Sequence, residues 1–581
     1  MQCLTAPVCI VVVHAYLMSA AFSWKVPDNV YETFYGTTKK EHAGVQLKTK
    51  GSIPKWLNGY FLHQSCGSFG NNSSDPGSKI LHIFDCIGSV TSFDFNKGRV
   101  DYSHRFYRTR PFKIWDYYER DMDKSKVAWM TAYSEIDQDQ YKKWSPLQDY
   151  PVLNPNVAFW KIGDKVAAVT DNPSGYWFDL HTLESKGIFP FKDVNFGFSH
   201  SMVPVNNPAH EHVDEDGVTL YSSVSMYDIS DFDNVNVIRV IYKIVNETRV
   251  RIASFQEAGP FNLNHCYFDS TYPLMTTRGS YLHSFCMTEN HFVLPMSTFL
   301  YDKCSLFRVN DRDGPEVPLY STIMKYSEDV PTRFVVVSRR TNEVVGEFTT
   351  EDGLFITHQL NSYEENGIMY LDMLTYRGDI YEHMHLDKLL TTPNFVTRVE
   401  RFLVDMSDWT LLDRIDLLPN SKYSLVEFPT MNYEVYNTKP YNYTYMVGFD
   451  PIPNVLIKLN VQTNETLYWG PFEGLIPGEP VFVARPDSTA EDDGVIISTV
   501  LDTNVKKGMV VVLDAQTFTE IGRAVSPELM PFGQHSKFIR QSATGSTRNV
   551  VQRVAFGMIS VLSPVVLLAI SLGRNIVVYL S

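Results

Sequence analysis

Four histidines set out the chemistry open to this chain: His210 in Pro-Ala-His-Glu-His, His283 in Tyr-Leu-His-Ser-Phe, His358 in Ile-Thr-His-Gln and His535 in Phe-Gly-Gln-His-Ser. Each lies at or beside a short apolar, strand-like run. Neutral imidazole is the commonest protein ligand for a first-row metal, so four such positions in one domain point to a shared centre. Taken singly, each is better read as an ordinary strand or turn histidine. Their neighbours compete with them. In a strand, His-x-His places both rings on one face, so His212 rivals His210, and His383 with His385 forms a second such pair. His200 in Phe-Ser-His-Ser is a further contender.

Residues this far apart in sequence can meet only if the fold brings them to one place. Long amphipathic helix patterns are scarce, and short apolar runs separated by turn residues dominate. A unit recurs: a strand, a polar turn often carrying Thr and Glu, then a second strand. It begins at Tyr176, Val335, Leu456 and Val511, with a looser copy at Phe93. Hairpins repeated at irregular intervals are the trace of propeller blades with insertions. A propeller gathers one strand from each blade round an axis, which lets distant histidines face one atom. A β-sandwich would explain the hairpins but not the convergence. Polar turn clusters at 71–78 and 311–317 do not read as domain boundaries, so residues 24–540 read as one β domain.

The chain has 581 residues, 44% of them hydrophobic and 13% aromatic, ample for a large core. A net charge of −15 excludes nucleic acid as a partner, because phosphate binding needs a basic surface. Residues 4–18 form an uncharged apolar run followed by Ser19, Ala20 and Ala21, so 1–23 read as a signal peptide, with a membrane-anchor helix as the rival. Residues 554–572 form a second apolar run, preceded by Ser542, Ala543, Gly545 and Ser546. Residues 541–581 therefore read either as a removable lipid-anchor signal or as a spanning helix. Sequons at Asn71, Asn72, Asn246, Asn442 and Asn464 accompany these ends, which together indicate the secretory route and a cell-surface or extracellular, membrane-anchored protein. Of seven cysteines, five lie beyond the signal, an odd number, and none is in a Cys-x-x-Cys spacing.

Four motifs follow in order in the last third: Glu427-Phe-Pro-x-x-Asn-Tyr, Gly478-Glu-Pro-Val-Phe-Val, Glu491-Asp-Asp-Gly-Val and Pro531-Phe-Gly-Gln-His-Ser. With them, residues 50–540 resemble the carotenoid cleavage oxygenases, a superfamily that includes the retinoid isomerohydrolase of the vertebrate visual cycle and insect carotenoid isomerooxygenase. The resemblance implies an all-β, seven-bladed propeller with a helical and loop cap over an axial Fe(2+) held by His210, His283, His358 and His535. Four neutral imidazoles leave the ion its full charge and open positions for dioxygen beside a substrate. The family's carboxylates behind the ligands map onto Glu427, Glu479 and Asp171, where a shorter aspartate implies a longer or water-bridged contact. Alignment with the family's His-Pro-His favours His210 over His212, with Glu211 in the proline's place.

The early motifs depart from the family's. His63-Gln-Ser-Cys-Gly stands for Arg-Asn-Gly-Pro-Gly, His82-Ile-Phe-Asp-Cys for His-Leu-Phe-Asp-Gly, and Cys286 for a glycine. Cys66 and Cys86 are a candidate disulfide, with two buried thiols as the alternative. A polar, acidic stretch from Trp115 replaces the Pro-Asp-Pro-Cys-Lys segment of animal members, which puts the family's membrane docking in question here. The leading function is oxidative cleavage of a conjugated double bond in a hydrophobic carotenoid or apocarotenoid by dioxygen, yielding two carbonyl products. Within the superfamily the rival is an isomerase or isomerohydrolase. Outside it stand an inactive carotenoid- or lipid-binding propeller and an adhesive one.

Overall fold

The computed structural model describes residues 26–541 apart from 70–81, 118–153, 197–200, 263–278, 302–323 and the single positions 28, 37, 39, 387, 392, 420 and 531. The chain divides into two compact units, Met1–Phe538 and Ile539–Ser581; the site lies in the first, and of the second only 539–541 are described. The signal-like segment, the C-terminal apolar run, the sequons at Asn71 and Asn72, the 71–78 and 311–317 turn clusters and His200 all fall outside the described residues. Among those described, no helix is long and apolar enough to cross a membrane.

Among the described residues, seven sheets of four or more strands make a seven-bladed propeller, antiparallel except where Lys192–Val194 pairs in parallel with Thr248–Phe261. Blade 1 has the order His42–Gln46, Arg99–Phe106, Ile87–Asn96, Gly59–Ser68 and then Gly533–Arg540, so the chain's end supplies the strand that carries His535. Blade 7 is closed from the other side, because Lys48–Gly51 pairs with Thr519–Val525. Residues 48–51 and 533–540 thus each complete a blade whose other strands lie far away in sequence, which ties the first and last blades into the ring. Blade 2 begins at Ala158–Ile162, blade 3 at Met202–Asn206, blade 4 at Cys286–Met287, blade 5 at Phe355–Glu365 and blade 6 at Leu425–Thr430. A separate two-stranded pair, Phe299–Tyr301 with Met324–Tyr326, was not legible in the sequence.

The recurring sequence unit is the outer hairpin of a blade. At the turns of blades 2, 4, 6 and 7, Asp179, Ser338, Asn460 and Asp514 accept backbone N–H groups two and three residues ahead with their side-chain oxygens. Four residues on, Leu183, Asn342, Asn464 and Phe518 take left-handed φ of 55°, 60°, 61° and 56°. Each also donates its N–H back to the carbonyl of the turn's first residue. A short polar side chain that imitates the backbone turn is what selects Asp, Asn or Ser at that place.

Middle strands are buried on both faces because a blade packs between two others. Lys507–Asp514 is buried at every interior position. Phe334, Val336 and Phe348 of blade 4 meet Leu371, Phe402 and Val404 of blade 5, and Val447 and Leu456 of blade 6 meet Ile496 and Val511 of blade 7. Each such side chain contributes about 1.5–3 kcal/mol by leaving water. Cys66 and Cys86 are bonded to each other at a sequence separation of 20, a loop whose closure stabilises by about 3 kcal/mol in the chain-entropy picture. Cys286 is a buried free thiol. Of the polar stretch that opens at Trp115 only 115–117 are described: Trp115 is fully buried near the end of the helix Arg110–Tyr117, against Phe106 and Phe112, while Asp116 and Tyr117 are exposed. The indole ring is too large and apolar to leave exposed beside an aromatic pocket.

Candidate metal centre

The four histidines of the opening motifs meet. Nε2 of His210 lies 3.2 Å from that of His283 and 3.2 Å from that of His358, which in turn is 3.3 Å from His283 and 3.2 Å from His535. All four ligand atoms fall within 4.8 Å of one another. His283, His358 and His535 are buried and His210 half-buried.

Behind three of the rings stands a carboxylate, each from a blade that gives no ligand. Nδ1–H of His283 donates to Asp171 Oδ2 at 2.8 Å, that of His358 to Glu427 Oε2 at 2.6 Å, and that of His535 to Glu479 Oε1 at 2.9 Å. Blades 1, 3, 4 and 5 therefore give imidazoles, and blades 2, 6 and 7 give the carboxylates that orient them. The shorter aspartate reaches its histidine directly, because Asp171 sits just past the strand Lys165–Val169 with Ala209 N–H at 2.6 Å from its Oδ1.

Those contacts decide the tautomers. A carboxylate only accepts, so the proton is on Nδ1 and Nε2 carries a lone pair. Several lone pairs aimed at one point repel unless a cation lies among them, so this donor set fits a single metal ion. The electrostatics are uneven. Burial and the neighbouring imidazoles hold His210 well below the ordinary histidine value. Burial also lowers His358, against Glu427. For His283, Asp171 outweighs burial and raises the ring. Burial would raise Glu427, but His358, Tyr376 and Thr357 bring it down to about 2.

Among the described residues His210 has no carboxylate behind its ring, and it is fixed through its neighbours. Ala209 is gripped on both backbone groups, by Asp171 at its N–H and by Trp160 Nε1–H at its carbonyl, 2.7 Å away. Glu211, in the proline's place, pairs with Lys537 at 2.5 Å, two residues beyond His535. His212 belongs to another network: Nε2–H donates to Phe285 O at 2.7 Å and Nδ1 faces Tyr433 Oη at 3.1 Å. His212 is on the strand His212–Val213, paired with Leu220–Asp228, whereas His210 precedes that strand, so the two rings do not share a face. His385 lies against His82, and His383 ends the helix Ile380–His383, so that pair does not share a strand face either.

Several tyrosines were invisible to sequence reasoning. Tyr376 donates to Glu427, and Tyr281 to Asp171. Tyr381 donates to Tyr281 at 2.5 Å. Tyr281 is two residues before His283, a spacing that could have flagged it.

An apolar cavity opens on His283, His358 and His535, walled by Phe84, Phe355, Tyr381, Phe428, Phe449 and Phe532 among others. The short helix Ile380–His383 forms part of its wall. Phe428 holds a left-handed φ of 57°, rare for a bulky residue, and its N–H donates to Glu427 at 3.0 Å. That backbone presses the ring to 5.1 Å from His535. The described sequon asparagines Asn246, Asn442 and Asn464 are all exposed, the first and last at hairpin turns, and the Asn442 amide also donates to Glu491 at 2.8 Å.

Residues 35–540 match the family described as retinal pigment epithelial membrane protein. The β,β-carotene 15,15'-dioxygenase of Gallus gallus is 27% identical over 89% of this chain and 99% of its own length. The carotenoid isomerooxygenase of Galleria mellonella is 27% identical over 84% of this chain and 92% of its own. Among solved structures, the apocarotenoid oxygenase of Synechocystis superposes with a TM-score of 0.67 at 18% identity, covering 87% of this chain and 98% of that one. The lignostilbene dioxygenase of Pseudomonas brassicacearum gives 0.66 at 18% identity over 89% and 99%.

Proposed function

The chain belongs to the retinal pigment epithelial membrane protein family, and from that membership we propose that it is an iron(II)-dependent dioxygenase that cleaves a conjugated double bond of a carotenoid or apocarotenoid. The observation that carries this reading is the convergence of four Nε2 atoms beside an apolar cavity. The bond C=C and O2 become two C=O groups, so each product keeps one atom of dioxygen. His210, His283, His358 and His535 would hold the ferrous ion, which supplies dioxygen activation when bound.

The chain's own residues do the rest. Asp171, Glu427 and Glu479 keep each ring's proton on Nδ1 and its lone pair forward. Phe84, Phe355 and Phe428 wall a space that takes a rigid polyene and excludes water from the reacting bond. No side chain need act as acid, base or nucleophile.

The decisive experiment is product mass spectrometry under ¹⁸O2 with a carotenoid panel. Two carbonyl products, each one label heavier, are expected. Unlabelled products would indicate the isomerohydrolase, and no products from iron-loaded protein the inactive binder.

We further propose a secretory route: a cleaved signal at 1–23, glycans at Asn71, Asn72, Asn246, Asn442 and Asn464, and a lipid-anchored or membrane-spanning tail within 541–581 that brings the cavity to a membrane surface. The exposure of Asn246, Asn442 and Asn464 supports the glycans. Glycosidase treatment and phospholipase release from cells test the two halves separately.

A further inference from the structure

The cavity's polar side chains divide by place. Thr357 adjoins His358 in sequence, Gln534 adjoins His535, and Glu427 is bonded to His358. His383 alone stands on a different element, the last residue of the helix Ile380–His383, whose Ile380 and Tyr381 also line the cavity. Tyr381 has spent its hydroxyl proton on Tyr281. His383 is only 8% exposed and faces the cavity, and its side-chain neighbours among the described residues are the Phe395 ring and, through charge, Lys388, neither of which accepts a hydrogen bond. Phe395 packs edge-on at 5.4 Å and supplies no acceptor. Buried polar groups are almost always paired, and one left open on a ligand cavity needs a partner from the ligand. Burial, with Lys388 beyond, lowers the imidazole, so it stays neutral and offers one donor and one acceptor.

We propose that His383 is a substrate-recognition residue that hydrogen-bonds an oxygen function, hydroxyl or carbonyl, at the end of the polyene, so that the preferred substrate is oxygenated rather than a pure hydrocarbon. The inference rests on the polyene-cleaving reading and narrows its substrate class. A neutral imidazole suits both oxygen functions, donating to a carbonyl and accepting from a hydroxyl. A site built to hydrogen-bond a substrate oxygen rejects the analogue lacking it, because the imidazole is then left buried and unpaired.

The test uses the full-length iron-loaded protein with two probes, a carotenoid hydrocarbon and the same carotenoid with a ring hydroxyl. Steady-state cleavage is measured for each, and binding is followed by tryptophan quenching on iron-free protein. The wild type is expected to favour the hydroxylated probe at least about 10-fold in kcat/KM and Kd. His383→Leu should abolish that preference by lowering kcat/KM and affinity for the hydroxylated probe at least about 10-fold more than for the hydrocarbon, and His383→Gln, which keeps a donor and an acceptor, should retain most of it. Equal handling of both probes by the wild type overturns the proposal, as does a preference that survives His383→Leu or a His383→Leu loss that falls equally on both probes. Failure to bind or cleave either probe overturns the oxygenase reading itself.

Discussion

His210 and His358 occupy equivalent places round one point and are held there by opposite means. His358 is gripped at its ring: Glu427 takes the Nδ1 proton, and Tyr376 steadies the carboxylate. His210 is gripped at its backbone, through Ala209 between Asp171 and Trp160 and through the Glu211–Lys537 pair. One aspartate thus serves two corners, orienting the ring of His283 and the chain beside His210. Ring orientation does not require a carboxylate behind every ligand when the backbone leading to it is rigid.

The largest effect should come from the ligands themselves. His358→Ala or His210→Ala is expected to reduce iron from one per chain to near zero and activity by at least about 10³-fold, with His212→Ala leaving metal content untouched. Metal analysis by mass spectrometry decides; iron lost equally from His212→Ala would return that residue to the site. Next come the carboxylates. Asp171→Ala loosens two corners and should cost about 100-fold in metal affinity, against about 10-fold for Glu427→Ala, which loosens one. Equal losses in competitive chelator titrations would erase the distinction drawn between them. Trp160→Phe removes a single hydrogen bond from the His210 corner alone. About 1 kcal/mol, or fivefold in affinity, is the expected cost, and no change would show that Asp171 suffices.

The smallest effect is on pH. Asp171 raises His283, so in iron-free protein that ring keeps its proton to higher pH than an ordinary histidine, whereas His210 stays neutral. Metal must displace the proton, so affinity is full above the raised value and falls about tenfold per unit below it. Asp171→Asn removes the cause of the rise and should move the onset of this loss to lower pH. An unmoved onset in binding titrations would assign the proton to another group.

Much of this site was legible because its parts sit in short, distinctive contexts. His535 closes Phe-Gly-Gln-His-Ser, Glu427 opens Glu-Phe-Pro, and the hairpin units mark the outer edges of blades. What stayed hidden depends on contacts across blades. Tyr281 and Tyr376 look like any strand tyrosine until their hydroxyls meet Asp171 and Glu427. Glu211 looked like a lost proline, yet it pairs with Lys537, 326 residues away. The rivalry of His212 dissolved for a local reason: the strand starts after His210, so strand periodicity never applied to the pair.

The most direct test is X-ray absorption at the iron edge on purified full-length protein. Four imidazole nitrogens round one ferrous ion per chain, reduced to three by His210→Ala with any metal retained, is the expected result. A spectrum dominated by carboxylate oxygen, or one unaltered by substitution of any of the four histidines, would contradict a shared centre.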